Sequence, residues 1–166
     1  MSLASTIETT RAALADNPDA GGATFRADNT LVGVTEVDVS IRGHRFSIDE
    51  PESLGGTDVA ANPVEYVLAA LGACQAITFR VWGTHLGIPF DKVHVLVEGD
   101  LDVRGFFGVG DEARSGFEEI RVTATISGPE PPQRYAELHK IVEEHCPVQD
   151  MLANPVPVRA TLRFGS

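Results

Sequence analysis

The sequence predicts an α+β fold: antiparallel sheets packed on a long central helix and a second helix. Three observations carry this prediction. Across residues 23–48 apolar residues alternate with polar ones, as in Val37-Val39-Ile41, the period-two mark of a strand with one buried face. A long apolar run then begins at Asn62-Pro63, the composition of a capped helix. Two more alternating segments, a second helical pattern and a final alternating segment follow, giving the order βββ–α–ββ–α–β, which groups strands and helices as an α+β layout.

Taken in order, residues 1–22 form an N-terminal extension, helical over 7–14 and broken at Asn17-Pro18 and Gly21-Gly22. A single domain occupies 23–166. Its first strands carry Phe25, then Val32 and Val34, then Val37, Val39 and Ile41; Arg42-Gly43-His44 turns the chain into Phe46-Ser47-Ile48. Residues 49–61, with Pro51, Gly55 and Gly56, read as a loop. Asn62 is an N-cap with Pro63 at the first helical position, and Glu65 completes a capping box. The helix should end near His85, before Gly87 and Pro89. At ~100° per residue, Val67, Ala70, Leu71, Ile77, Thr78 and Val81 share a side with Cys74, which should be largely buried. Strands over 93–103 and 117–126 flank a Gly-rich hairpin connection, and Gly128-Pro129 ends the second. Pro131 or Pro132 opens a helix bearing Tyr135, Leu138, Ile141, Val142 and His145; Pro147 stops it and starts a short turn of helix through Leu152. Residues 156–164 alternate as a last strand.

Composition narrows the function. Apolar residues are 43% and charged residues 22% of a 166-residue chain, enough for one globular core and unlike a disordered chain. A net charge of −11 with no Lys/Arg cluster argues against nucleic acid or an anionic membrane surface as partner. No secretory leader or membrane span is expected. With two cysteines only, a disulfide scaffold is not expected and a reducing cytosol is.

Those cysteines are the candidate chemistry. Cys74 sits inside the long helix; Cys146 sits between the second helix and Pro147. On an apolar helix face a free cysteine is ordinarily a small core residue, and burial raises its pKa and makes it inert. A reactive Cys74 needs a cation or oriented donors brought from another element. Cys146 is pulled two ways, toward thiolate by the start of the short helix and away from it by the carbonyls ending the preceding one. Two sulfurs that meet form a redox pair, one attacking a weak O–O bond and the other trapping the product. Zinc is not expected, because no close Cys-x-x-Cys or His-x-x-x-His pair exists to nucleate a site. His44, His94 and His139 read as surface or turn residues.

Two motifs point to one family. Leu54-Gly55-Gly56-Thr57, Asn62-Pro63-Val64-Glu65-Tyr66 and Leu68-Ala69-Ala70-Leu71-Gly72-Ala73-Cys74 form the first; His145-Cys146-Pro147-Val148 with Val156-Pro157-Val158 forms the second. The pattern resembles the OsmC/Ohr family (osmotically inducible and organic hydroperoxide resistance proteins), in its OsmC-like branch, over roughly residues 23–164. The resemblance implies an intertwined homodimer with sites at the subunit interface, needing no metal or flavin cofactor. It implies a thiol peroxidase in which Cys74 attacks an organic hydroperoxide, Cys146 resolves the sulfenic acid, and an external dithiol reduces the disulfide.

The sequence departs from the family pattern at two places. The stretch Val34-Thr35-Glu36-Val37-Asp38-Val39 carries no arginine where the family's thiolate-holding Arg stands, and Arg26, on the first strand, is the expected substitute. The glutamate directly after the helix-opening proline is replaced by Val64, and Glu65 follows it ~180° from Cys74; a part in catalysis for Glu65 competes with its part in the cap. Val67, Leu71, Ile77 and Phe79 are the expected substrate pocket, apolar enough to favour an organic peroxide. The alternative function is a dimeric binding or stress protein with the same fold and little peroxidase activity. A Cys146–His145 transferase or hydrolase is a third reading, weakened because adjacent residues rarely point their side chains at each other.

Overall fold

The computed structural model describes residues 2–165. Helix α1 (Leu3–Asp16) outruns the expected 7–14 because Ser2 caps it, accepting the Ser5 N–H at 3.2 Å. Ile7 is buried and the Arg11 guanidinium lies 5.6 Å over the Trp82 ring, so the extension is packed onto the domain rather than trailing from it. A 3-10 turn, Pro18–Gly21, follows.

Strands β1 (Asp28–Leu31), β2 (Val37–Ile41) and β3 (His44–Ile48) make an antiparallel sheet in that order, Val39 standing between Asn29 and Phe46. Two expectations are corrected here. The first strand covers neither Phe25 nor Val32 and Val34, so Arg26 precedes the strand instead of lying on it. Nor is one face fully buried: all of β1 is exposed and Val39 alone among these strands' apolar residues is buried, apart from half-buried neighbours. The alternation is real, but among the described residues no second layer covers β1.

The loop that follows is anchored by Asp49. This carboxylate is buried, accepting from the Thr35 hydroxyl at 2.6 Å and from the Thr57 hydroxyl and amide at 2.8 and 2.9 Å. The Thr35 hydrogen bond above all holds it far below the usual carboxylate range, with Thr57 adding to the shift. A depressed folded value stabilises the fold above the unfolded pKa of about 3.9, and that stabilisation is lost as pH falls through the folded value. Asp49→Asn should therefore lower the melting temperature at pH 7 and flatten its decline below pH ~4. An Asn variant that melts like the parent at pH 7 would rule the anchor out.

Helix α2 (Pro63–Leu86) begins as its sequence dictates: Asn62 Oδ1 accepts the Glu65 N–H at 2.9 Å and Glu65 Oε2 accepts the Asn62 N–H at 2.8 Å. It ends at Gly87, whose φ of 64° is a left-handed cap that glycine adopts without strain. Gly72 lets the helix press onto the next sheet, since a Cβ there would stand 3.2 Å from Val97 Cγ2. By length and composition α2 could pass for a membrane span, but it packs against four other elements of the chain and reads as the central helix.

Strands β4 (Lys92–Leu101) and β5 (Phe117–Ser127) form a second antiparallel sheet, Val97 opposite Val122. The expected strand to Val103 stops at Leu101, because Asp102 caps a short helix α3 (Val103–Phe107), accepting the Arg104 N–H at 3.0 Å and pairing with its guanidinium. Helices α4 (Pro132–His145) and α5 (Pro147–Ala153) follow, each opened by its proline. The core lies between α2, α4 and this sheet: Phe79, Ile88, Phe90, Tyr135, Leu138 and Val142, with Trp82, Val93, Ala124 and Ile126 against it. Full burial of such side chains contributes roughly 1.5–3 kcal/mol each. The last expectation to be corrected is the strand over 156–164. That segment is in no strand and its apolar residues stand in solvent: an alternating sequence becomes sheet only where it pairs with a neighbouring strand, and residues 156–164 pair with none among the described residues.

Candidate active site

The face that α2 turns to the core runs through Leu71, Gln75, Thr78, Phe79 and Gly83, rotated from the side predicted around Cys74. Ile77 is 64% exposed and Cys74 is only partly buried. Cys74 thus stands at the border of the packed face, within reach of solvent, instead of deep in the core.

Cys146, by contrast, is 1% exposed. It closes α4 and is the N-cap of α5, the position its Pro147 predicts. Although 72 positions separate the cysteines in sequence, Cys74 is the side-chain neighbour of Cys146, and both are free thiols. Burial above all pushes the Cys146 thiol up, and the neighbouring Cys74 side chain pushes it further. The amides of Gln149 and Val148 pull it down by less, short of a full side-chain cap. The contest left open by the sequence is decided by burial. In a Cys74→Ser variant, Cys146 should react with iodoacetamide at pH 8 at least about tenfold more slowly than free cysteine. Equal rates would mean an accessible thiolate.

A cleft of about 700 Å³ opens beside the helix, with Val67, Leu71, Gln75 and Gln149 on its walls and Arg114 among its lining. Of the expected pocket residues it gathers Val67 and Leu71; Phe79 lines a separate cleft between β5 and α4, and Ile77 lines neither. Arg26 is exposed, ahead of β1, and no arginine hydrogen-bonds to Cys74 among the described residues. Glu65 spends its carboxylate on the cap. His145 is exposed, its ring 4.3 Å from Trp82 and its Nδ1 2.9 Å from the Ile141 carbonyl. A carbonyl only accepts, so Nδ1 carries a proton there and is not free as a base toward Cys146. Among the described residues no cluster of three or more His, Cys, Asp or Glu could hold a metal. The residues that sequence reasoning missed are Gln75 and Gln149, whose side chains bridge α2 and α5. The available signal was an amide directly after Cys74 in an apolar helix.

Comparison with known proteins bears on this arrangement. The sequence model of the family described as OsmC-like protein matches residues 55–161, a span that holds both cysteines. The chain belongs to the OsmC-like family. Solved structures share its fold at low identity. An OsmC-like protein from Mycoplasma pneumoniae superposes with a TM-score of 0.69 at 19% identity, over 80% of this chain and 89% of that one. An organic hydroperoxide resistance protein OsmC from Legionella pneumophila, described also as a predicted redox protein, gives 0.61 at 21% identity, over 78% and 89%. An organic hydroperoxide resistance protein from Elizabethkingia anophelis gives 0.62 at 21%, over 81% and 91%. No curated protein sequence matches. At these identities the likeness of this OsmC-like chain to the three structures is one of fold.

Proposed function

We propose that this protein is a thiol-dependent peroxidase of organic hydroperoxides, acting as a homodimer in a reducing cytosol. The observation that carries the reading is the meeting of Cys74 and Cys146 from distant elements, with unequal access to solvent. Cys74, the more accessible, attacks the terminal peroxide oxygen; the O–O bond breaks, the alcohol leaves with a proton, and Cys74 becomes a sulfenic acid. Cys146, held protonated by its burial, is poorly suited to first attack and well placed for the second. Its sulfur displaces water from the sulfenic acid and forms the disulfide, which an external dithiol reduces by exchange. The fold shared with the organic hydroperoxide resistance proteins of Legionella and Elizabethkingia supports the substrate class.

The homodimer is supported by apolar surface left bare in the single subunit: only 28% of the apolar stretch of α2 is buried, and Leu31, Val158, Leu162 and Phe164 are exposed. The alternative, an OsmC-like binding or stress protein, is favoured by one observation, the absence of an arginine bonded to Cys74 among the described residues. Steady-state consumption of cumene hydroperoxide with a dithiol reductant separates the two. Turnover that saturates in peroxide and stops in the absence of dithiol supports the peroxidase; consumption no faster than by free cysteine leaves the binding protein.

A further inference from the structure

Gln75 is a polar residue in a place where the helix needs an apolar one. It is 1% exposed, on the face that carries Leu71 and Phe79. Its Nε2 donates to Gln149 Oε1 at 2.5 Å, while its own Oε1 has no partner. A buried amide with one end unpaired is unfavourable against an aliphatic side chain of the same size, so packing alone does not account for it. The position does. Gln75 follows Cys74, and Gln149 lies one turn beyond Cys146. Helix α5 has no fully buried side chain of its own, and among the described residues the Gln75–Gln149 bond is the only side-chain hydrogen bond joining it to α2.

We propose that Gln75 and Gln149 are positioning residues: the hydrogen bond between their side-chain amides clamps α5 onto α2, keeps the Cys146 sulfur beside Cys74 and so sets how readily the disulfide closes. The clamp rests on reading the two cysteines as a redox pair. It acts on equilibrium as well as on rate, because whatever holds two thiols at bonding distance favours their disulfide over two separate thiols. Loss of one such hydrogen bond should weaken closure by roughly fivefold to tenfold.

Oxidised glutathione is the probe. One protein thiolate attacks it and releases one glutathione thiol; the second protein thiol then attacks the mixed disulfide at the protein sulfur and releases the other. Two electrons pass from the protein dithiol to the glutathione disulfide, and the two thiol protons end on the two reduced glutathiones. The ratio of squared reduced to oxidised glutathione at half-oxidation gives the effective concentration of the protein thiols for each other. Gln149→Leu, which keeps the size and removes the acceptor, should lower it roughly fivefold to tenfold. Gln149→Ala should lower it similarly, and Gln149→Glu, which keeps an acceptor oxygen for Gln75 Nε2, should restore most of the loss. Gln149 is only partly buried, so these variants should fold, as melting curves of the reduced forms verify. A Leu variant that melts lower but closes its disulfide as readily as the parent would make the pair merely structural and overturn the clamp. So would a Glu variant as impaired as the Leu one. Failure of the parent itself to form an intramolecular disulfide would instead strike the redox pair, and the clamp with it.

Discussion

Cys74→Ser should abolish turnover of cumene hydroperoxide, lowering kcat/KM by at least about a thousandfold, as loss of a catalytic nucleophile does. A serine hydroxyl in the same place is a far weaker nucleophile, because it stays protonated and its oxygen is less polarisable than sulfur. Cys146→Ser should behave differently. The first attack needs only Cys74, so one equivalent of peroxide per subunit should disappear in a burst. Turnover should then stall at the sulfenic acid, which dimedone traps. The asymmetry follows from the structure: Cys74 is partly open, whereas Cys146 is 1% exposed with its pKa raised by burial. Stopped-flow traces of the two variants decide the assignment. If Cys74→Ser retains the parent's turnover, the mechanism proposed here is lost; if Cys146→Ser shows no burst while Cys74→Ser does, the roles are reversed.

Light scattering at micromolar concentration should report twice 17.7 kDa, and a charged residue placed in the C-terminal segment should split that species. Val158, Leu162 and Phe164 are 79% exposed or more. Together with Leu31 and Val34 from the N-terminal sheet region and Ile77 from α2, they leave more bare apolar surface than a soluble monomer usually carries. Residues 156–164 alternate as a strand does yet pair with no strand among the described residues, so an edge supplied by a second copy would satisfy both their backbone and their apolar side. Val158→Asp buries a charge in that contact, at a cost of several kcal/mol, and should yield monomer or loss of soluble protein. A parent chain that elutes and scatters as a compact monomer would remove both the dimer and any site built across it.

Legibility in the sequence follows the range of the forces involved. The cap at Asn62, the capping box with Glu65, the stop at Gly87 and the prolines opening α4 and α5 were readable because each is settled within a few residues by backbone hydrogen bonds and fixed dihedrals. So were the pairing segments of β4 and β5, whose alternation is written in the chain, and the two motifs that mark the family. Strand 156–164 was misread because an alternating pattern records a preference while a strand requires a neighbour. The side of α2 that faces inward was misjudged around Cys74 because the helix is apolar nearly all round, and the elements packed on it, β4 and α4 foremost, choose which stripe is covered. By itself the sequence determined the long helix, the β4 and β5 segments, the two C-terminal helices and the place of the two sulfurs on them; the tertiary structure alone decided that those sulfurs meet, that Cys146 is the buried one and that Gln75 reaches Gln149. Those contacts join residues more than seventy positions apart, and local propensity carries no information about what the packing of α2, α4 and α5 brings together.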